Sequence, residues 1–185
     1  MALTAIRDIN NEIKNLLRSN IPDLTDENSV VFDSPGDLEN STTPKVSLFL
    51  YLITENSFLR NTDQIPVGTN KMRFPPVSVD LHYLITPYAK DKDTELLILE
   101  NVIQIINDYP VLNSSTSANT PSDPAIRITP RDLSIDDLNK LWSIFPNKTY
   151  RISFAYVVTP VIIQSSKTRD VTRVSKVETK FHLKE

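Results

Sequence analysis

The chain has 185 residues, 39% of them hydrophobic and 23% charged, with a formal net charge of -3. That length supports one domain with a real core, the composition excludes wholesale disorder, and no positive excess exists to draw the protein to DNA or an anionic membrane. Cysteine is absent, which excludes disulfides and Cys-ligated zinc or iron–sulfur sites, and glycine occurs only at Gly36 and Gly68 against 13 prolines. Phosphate-cradling loops need several glycines so that the backbone can approach the phosphate, so neither a P-loop nor a dinucleotide fingerprint can be written here. No apolar run approaches the roughly 18 residues of a membrane span. The stretch from Met1 to Asn20 carries acids and has no continuous apolar segment, so it does not read as a signal peptide. The expected location is the cytoplasm, with exit by lysis or within a particle.

Leu3 to Ser19 predicts an amphipathic helix, because Ile6, Ile9, Ile13 and Leu16 recur at spacings of three and four. It either packs on a sheet or makes a short contact between subunits; Pro22 ends the region. Val30 to Phe32 reads as a short strand and Ser34 to Pro44 as a polar loop. Lys45 to Thr54 is a strong strand, with Val46, Leu48, Leu50 and Leu52 on one face and Phe49, Tyr51 and Ile53 on the other. Both faces are apolar, so both are expected to be covered. Arg60 to Pro76 reads as a long polar connection.

Val77 to Ile85 predicts the next strand, buried through Val77, Val79, Leu81, Tyr83 and Ile85, with Ser78, Asp80 and His82 on a wetter face and Thr86-Pro87 as its stop. Asp91 to Asp108 predicts a helix that is apolar over most of its circumference, with a narrow polar stripe of Glu100, Asn101, Gln104, Asn107 and Asp108. Such a helix must be buried on more than one side, either centrally in the core or against another subunit. Val111 to Pro124 is rich in Ser, Thr, Asn and Pro and reads as a loop. Ile126 to Ile128 follows as a short strand. Ser134 with Asp137 has the pattern that opens a helix, which presents Ile135, Leu138, Leu141, Trp142 and Phe145. Thr149 to Gln164 predicts a long strand in which Pro160 marks a sheet edge or a bulge. From Lys167 onward six basic residues stand against three acidic ones, a local excess of +3, and Val177 to Lys184 alternates apolar with charged.

The sum is an α/β (α+β) domain, a central and mostly antiparallel sheet of about five to six strands flanked by about three helices. Residues 1–166 read as one domain and 167–185 as a C-terminal strand or arm.

No constellation of catalytic residues emerges. Ser78, Asp80 and His82 are triad residue types on one strand face, yet residues four apart on a strand are about 13 Å apart. A nucleophile and its base must meet at about 2.6–3.2 Å, so Ser78 cannot reach His82. With His82 and His182 as its only histidines, one chain cannot build an all-histidine metal site, and no HExxH-like spacing occurs. Asp132, Asp136 and Asp137 lie near a helix start, where the helix dipole accounts for them. The basic tail has one Phe, too little aromatic surface for stacking nucleic-acid bases; an exposed strand that pairs with a partner strand explains it better.

Four segments in order carry a family resemblance. Leu48-Phe49-Leu50-Tyr51 is followed by Ile53, Glu55-Asn56 and Leu59-Arg60-Asn61. Then come Leu81 to Pro87 ("LHYLITP"), Leu138 to Trp142 ("LNKLW") and Tyr150 to Val161 ("YRISFAYVVTPV"). The set resembles the tail-terminator (cap) family of extracellular contractile injection systems, which includes antifeeding-prophage-like and virulence-cassette particles. The resemblance implies a tail-terminator-like fold and a structural role with no active site, metal or cofactor. It further implies a hexameric ring that closes the inner tube and anchors the last sheath layer, with tube protein, sheath protein and a second cap protein as partners. It implies no nucleic acid and no membrane insertion. Ring contacts are expected on Leu96, Leu97, Ile98, Val102 and Ile105 or on the N-terminal helix, with Arg169, Arg173, Lys176 and Phe181 in the arm reaching a neighbour. The alternative is a monomeric adaptor or binding module without catalytic activity; a small hydrolase with carboxylates assembled in space ranks below both.

Overall fold

The structure is a computed structural model that describes residues 4–38, 43–60, 63–112 and 124–172. In chain order these form α1 (Ala5–Asn20), β1 (Val30–Val31), β2 (Lys45–Glu55), β3 (Ile65–Pro66), β4 (Lys71–Arg73), β5 (Val77–Tyr88), α2 (Lys92–Asp108), β6 (Val111–Leu112), β7 (Ile126–Pro130), α3 (Ile135–Trp142), β8 (Phe154–Ile163) and β9 (Thr168–Asp170). A six-stranded sheet runs β1-β2-β5-β8-β7-β6, antiparallel except for the parallel β1–β2 pair. The expected α+β class and the mostly antiparallel sheet are both present.

Strand β5 lies inside the sheet, and both of its faces are covered. Val79, Leu81, Tyr83 and Ile85 meet Ile9, Ile13 and Leu17 of α1 and Ile98, Val102, Ile105 and Ile106 of α2. Each fully buried Leu or Ile there contributes roughly 1.5–3 kcal/mol of transfer free energy. On the opposite face Leu84 meets Trp142 of α3 and Phe145, with Phe49, Tyr51, Leu138 and Leu141 packed around them. The sheet is thus the middle of three layers. The cap predicted at Ser134 is present, its hydroxyl accepting from the Asp137 amide at 3.1 Å, and at the start of α2 the Asp91 carboxylate accepts from the Thr94 amide at 2.8 Å.

Several boundaries differ from expectation for identifiable reasons. Leu50 lies opposite Tyr83 and Leu52 opposite His82, so Tyr51 is the extra residue of a β-bulge. Beyond it the alternation slips by one: Leu52 joins the face of Phe49, and Ile53 joins that of Leu50. Strand β5 does not stop at Thr86-Pro87 but runs to Tyr88, past its last pair with β8 at Ile85, so Pro87 lies where only β2 flanks it. Strand β8 begins at Phe154 rather than Thr149, because Arg151 leaves the strand path to reach Glu95 on α2 at 2.6 Å. Pro160 is in a central strand, and β5 and β8 change register there: Val79 pairs with Val161 and Leu81 with Val158.

The connection between Arg60 and Pro76 is not a plain loop. It holds the β3–β4 hairpin, turned at Gly68, whose φ of 74° suits glycine. Thr168–Asp170 pairs with β4 and completes a separate three-stranded sheet, β3-β4-β9. The alternating segment Val177 to Lys184 lies outside the described residues.

Candidate assembly interface

The face of β5 expected to be wet is buried. Ser78 and His82 are almost fully covered, and Asp80 is half-buried. Arg131, just after β7, brings its guanidinium to His82 Nδ1 at 2.6 Å, and His82 Nε2 lies 2.9 Å from the Thr54 hydroxyl. A guanidinium can only donate, so Nδ1 is the acceptor and Nε2 carries the proton. Asn56 Nδ2 donates to Asp80 Oδ1 at 2.9 Å and to Thr159 Oγ1 at 3.2 Å, while the Thr159 hydroxyl donates to Asp80. These side chains satisfy one another rather than water, whereas the Ser78 hydroxyl is buried without a hydrogen-bond partner. Chain distance kept Ser78 from His82, as the strand geometry required; Thr54 and Arg131, which sequence reasoning did not single out, are the partners instead.

Burial, and then the Arg131 charge, push the His82 pKa below its ordinary 6.5. The unfolded chain therefore takes up a proton at this site more readily than the folded one. Stability from a neutral His82 is complete above the ordinary value and is lost as pH falls below it. We expect denaturant midpoints to decline between about pH 7 and 5.5, with a shallower decline in His82→Gln; equal slopes would contradict this.

A cleft of about 400 Å³ is lined by Pro35, Leu38, Tyr88, Trp142, Lys148 and Arg151 among others. Its cations are engaged within the fold. Lys148 donates to the Leu38 carbonyl at 3.0 Å, and Arg151 bonds Glu95 while its guanidinium lies 4.6 Å from the Tyr88 ring centroid. Among the described residues no group of three His, Asp or Glu side chains gathers as a metal ion would require, and no helix is long and apolar enough to cross a membrane.

Unpartnered apolar surface is a different matter. On α2 the predicted interface residues divide. Ile98 and Val102 are 0% exposed and Ile105 is also buried; all three belong to the core of the single chain. Leu96 and Leu97 are 49% and 50% exposed, and Ile103 joins them one to two turns on. The helix is therefore buried on one side, not on several, and its outward side is part apolar. A second opening lies along β2. Strand β1 covers its outer edge only at Val46 and Ser47. Leu52 and Ile53 stand exposed on the uncovered stretch, and Phe58 projects beyond it. Arg169 is exposed on β9, while Arg173, Lys176 and Phe181 lie outside the described residues.

The family model of the Pvc16 N-terminal domain matches residues 8–176. The chain belongs to the Pvc16 N-terminal domain family. Two solved structures share the fold of this Pvc16-type domain. One is described as the sheath/tube terminator, in the extended state, of PVC, an extracellular contractile injection system; it has a TM-score of 0.73 at 22% identity, and the match covers 100% of this chain and 66% of that one. The other is the tube-terminating cap of the anti-feeding prophage, with a TM-score of 0.71 at 22% identity, covering 95% of this chain and 61% of that one. The Pvc16-type chain thus spans less than two thirds of the length of either solved relative. A search of curated proteins found no match. The family resemblance carried by the four sequence segments is confirmed by the family match.

Proposed function

We propose that this Pvc16-type domain is the structural core of a tube-terminating cap in a contractile injection system. In this reading six copies form a ring on the last layer of the inner tube, stop its elongation, and hold the final sheath layer. The protein acts by shape and contact, without catalysis, metal or cofactor, and its place is in the particle. Family membership and the likeness to two terminators support the reading. The observation that carries it is the outward face of α2: a domain with a complete core still leaves Leu96, Leu97 and Ile103 in solvent. Adjoining apolar side chains left in solvent on one helix face suit an assembly contact. A ring of identical copies buries it once per subunit under cyclic symmetry.

The test is tube length. Tube protein polymerised with the purified chain is expected to give short tubes carrying the chain at one end, as seen by electron microscopy. Tubes of the same length with and without it, and bare at both ends, would overturn the reading.

A further inference from the structure

The outward stripe of α2 is acidic as well as apolar. Asp93, Leu96, Leu97, Glu100, Ile103, Gln104 and Asn107 fall on one side at helical spacing, and all are exposed. Lys92, the only cation on the helix, is drawn to the buried Glu95 at 2.6 Å, so the stripe presents carboxylates unopposed. Neither Asp93 nor Glu100 has an ion-pair partner among the described residues.

The β3-β4-β9 sheet has the opposite character. Directly paired residues share a face, so Met72 and Arg169 point the same way. Lys167 joins them: its backbone carbonyl accepts from the Phe74 amide, and its ammonium lies 4.7 Å from the Phe74 ring centroid. This face therefore sets two cations on a partly exposed floor of Met72 and Phe74. Asp170 lies opposite Lys71 in the ladder, on the other face. Arg169 has no ion-pair partner among the described residues. One fold thus carries an apolar surface studded with acids and, on different elements, an apolar surface studded with bases.

We infer that these two surfaces are halves of one contact between copies of this chain: the α2 stripe of one copy seats against the β3-β4-β9 face of the next. The occupant is a second copy because the charges complement each other within the same sequence. The contact is head-to-tail, since the two surfaces differ, and head-to-tail contacts close into rings when the rotation allows. This deepens the ring reading and rests on it. Leu96, Leu97 and Ile103 supply the desolvated centre, with Glu100 meeting Arg169 or Lys167 beside it.

The experiment is a charge swap in the full chain. Glu100→Lys and Arg169→Glu are made singly and together, and mass is read by light scattering across a concentration series, alone and after mixing with tube protein. Both positions are exposed, so the fold is retained, which circular dichroism checks. Each single change is expected to weaken self-association by at least about tenfold, because it places like charges together, and the combined variant is expected to recover most of the loss. Single variants that associate like the wild type, or a combined variant that fails to recover, overturn the pairing while leaving a ring built on other surfaces. A wild-type chain that stays monomeric in both conditions overturns this contact and the ring reading together.

Discussion

Truncating Trp142 to alanine is expected to lower the unfolding free energy by about 3–5 kcal/mol. Trp142 is buried on the α3 side of the sheet, edge-on to Phe145 at 5.5 Å and to Tyr150 at 5.5 Å, over Leu84. This second core is small, with Leu84, Trp142 and Phe145 as its fully covered members. The α3 side chains nearest to it, Leu138 and Leu141, are already packed against the cluster. Phe145 is further hemmed in by Phe49 at 5.6 Å and by Gly36, where an added Cβ would come within 3.2 Å of the ring, so local collapse is restricted. The indole N–H donates to no protein group, so the loss is one of packing alone. Urea unfolding measures it. Trp142→Phe, which keeps a ring in place, is expected to lose less than half as much. A Trp142→Ala variant within about 1 kcal/mol of wild type would mean that α3 is not held by this cluster.

Replacing Arg151 with methionine is expected to cost about 3 kcal/mol. The side chain of Glu95 is 3% exposed and takes Arg151 at 2.6 Å as its buried partner. Methionine keeps much of the packing over Tyr88 but leaves a carboxylate in a place where water cannot solvate it. Lys92 still reaches the other oxygen at 2.6 Å, though from solvent, which holds the loss at the low end of the range for a broken buried pair. The decisive comparison is the double variant Glu95→Gln with Arg151→Met. With the unpaired charge gone, it is expected to be more stable than Arg151→Met alone, and the double-mutant cycle gives the coupling directly. If the double variant is no more stable than the single one, the loss comes from packing and not from charge. The pair ties the start of α2, and so the exposed Leu96 and Leu97, to the segment entering β8.

The sequence was most legible where one period dominates. Ile6, Ile9, Ile13 and Leu16 mark α1 because a helix that packs on a sheet needs one apolar stripe. The cap at Ser134 was legible because backbone amides at a helix start need an acceptor within three residues. Legibility failed where a partner from elsewhere in the chain decides. Nothing local announces that His82 will be covered by Arg131, or that Glu95 will be buried against Arg151; each pair spans tens of residues. The bulge at Tyr51 was equally hidden, since one extra residue reverses the faces of Leu52 and Ile53 without altering the apolar pattern. The candidate contact on α2 was half legible. Composition marked Leu96, Leu97, Ile98, Val102 and Ile105 as more apolar surface than a small domain usually covers. Which of them the core takes depends on how α2 rolls against α1 and β5, and the packing took Ile98, Val102 and Ile105.

By itself, then, the sequence determined an α+β domain without cysteine chemistry or a phosphate-cradling loop, and those properties follow from residue type and short-range periodicity. Its likeness to the terminator family rested on four ordered segments. Only the tertiary structure decided which apolar side chains remain in solvent and which charges stand unpaired. It folded the polar connection before β5 into a hairpin, added β9 to it, and so gathered Lys167 and Arg169 on one face with Met72 and Phe74. The physical reason is that exposure and pairing depend on the arrangement of distant segments, and residues about a hundred positions apart become neighbours only when the chain has folded.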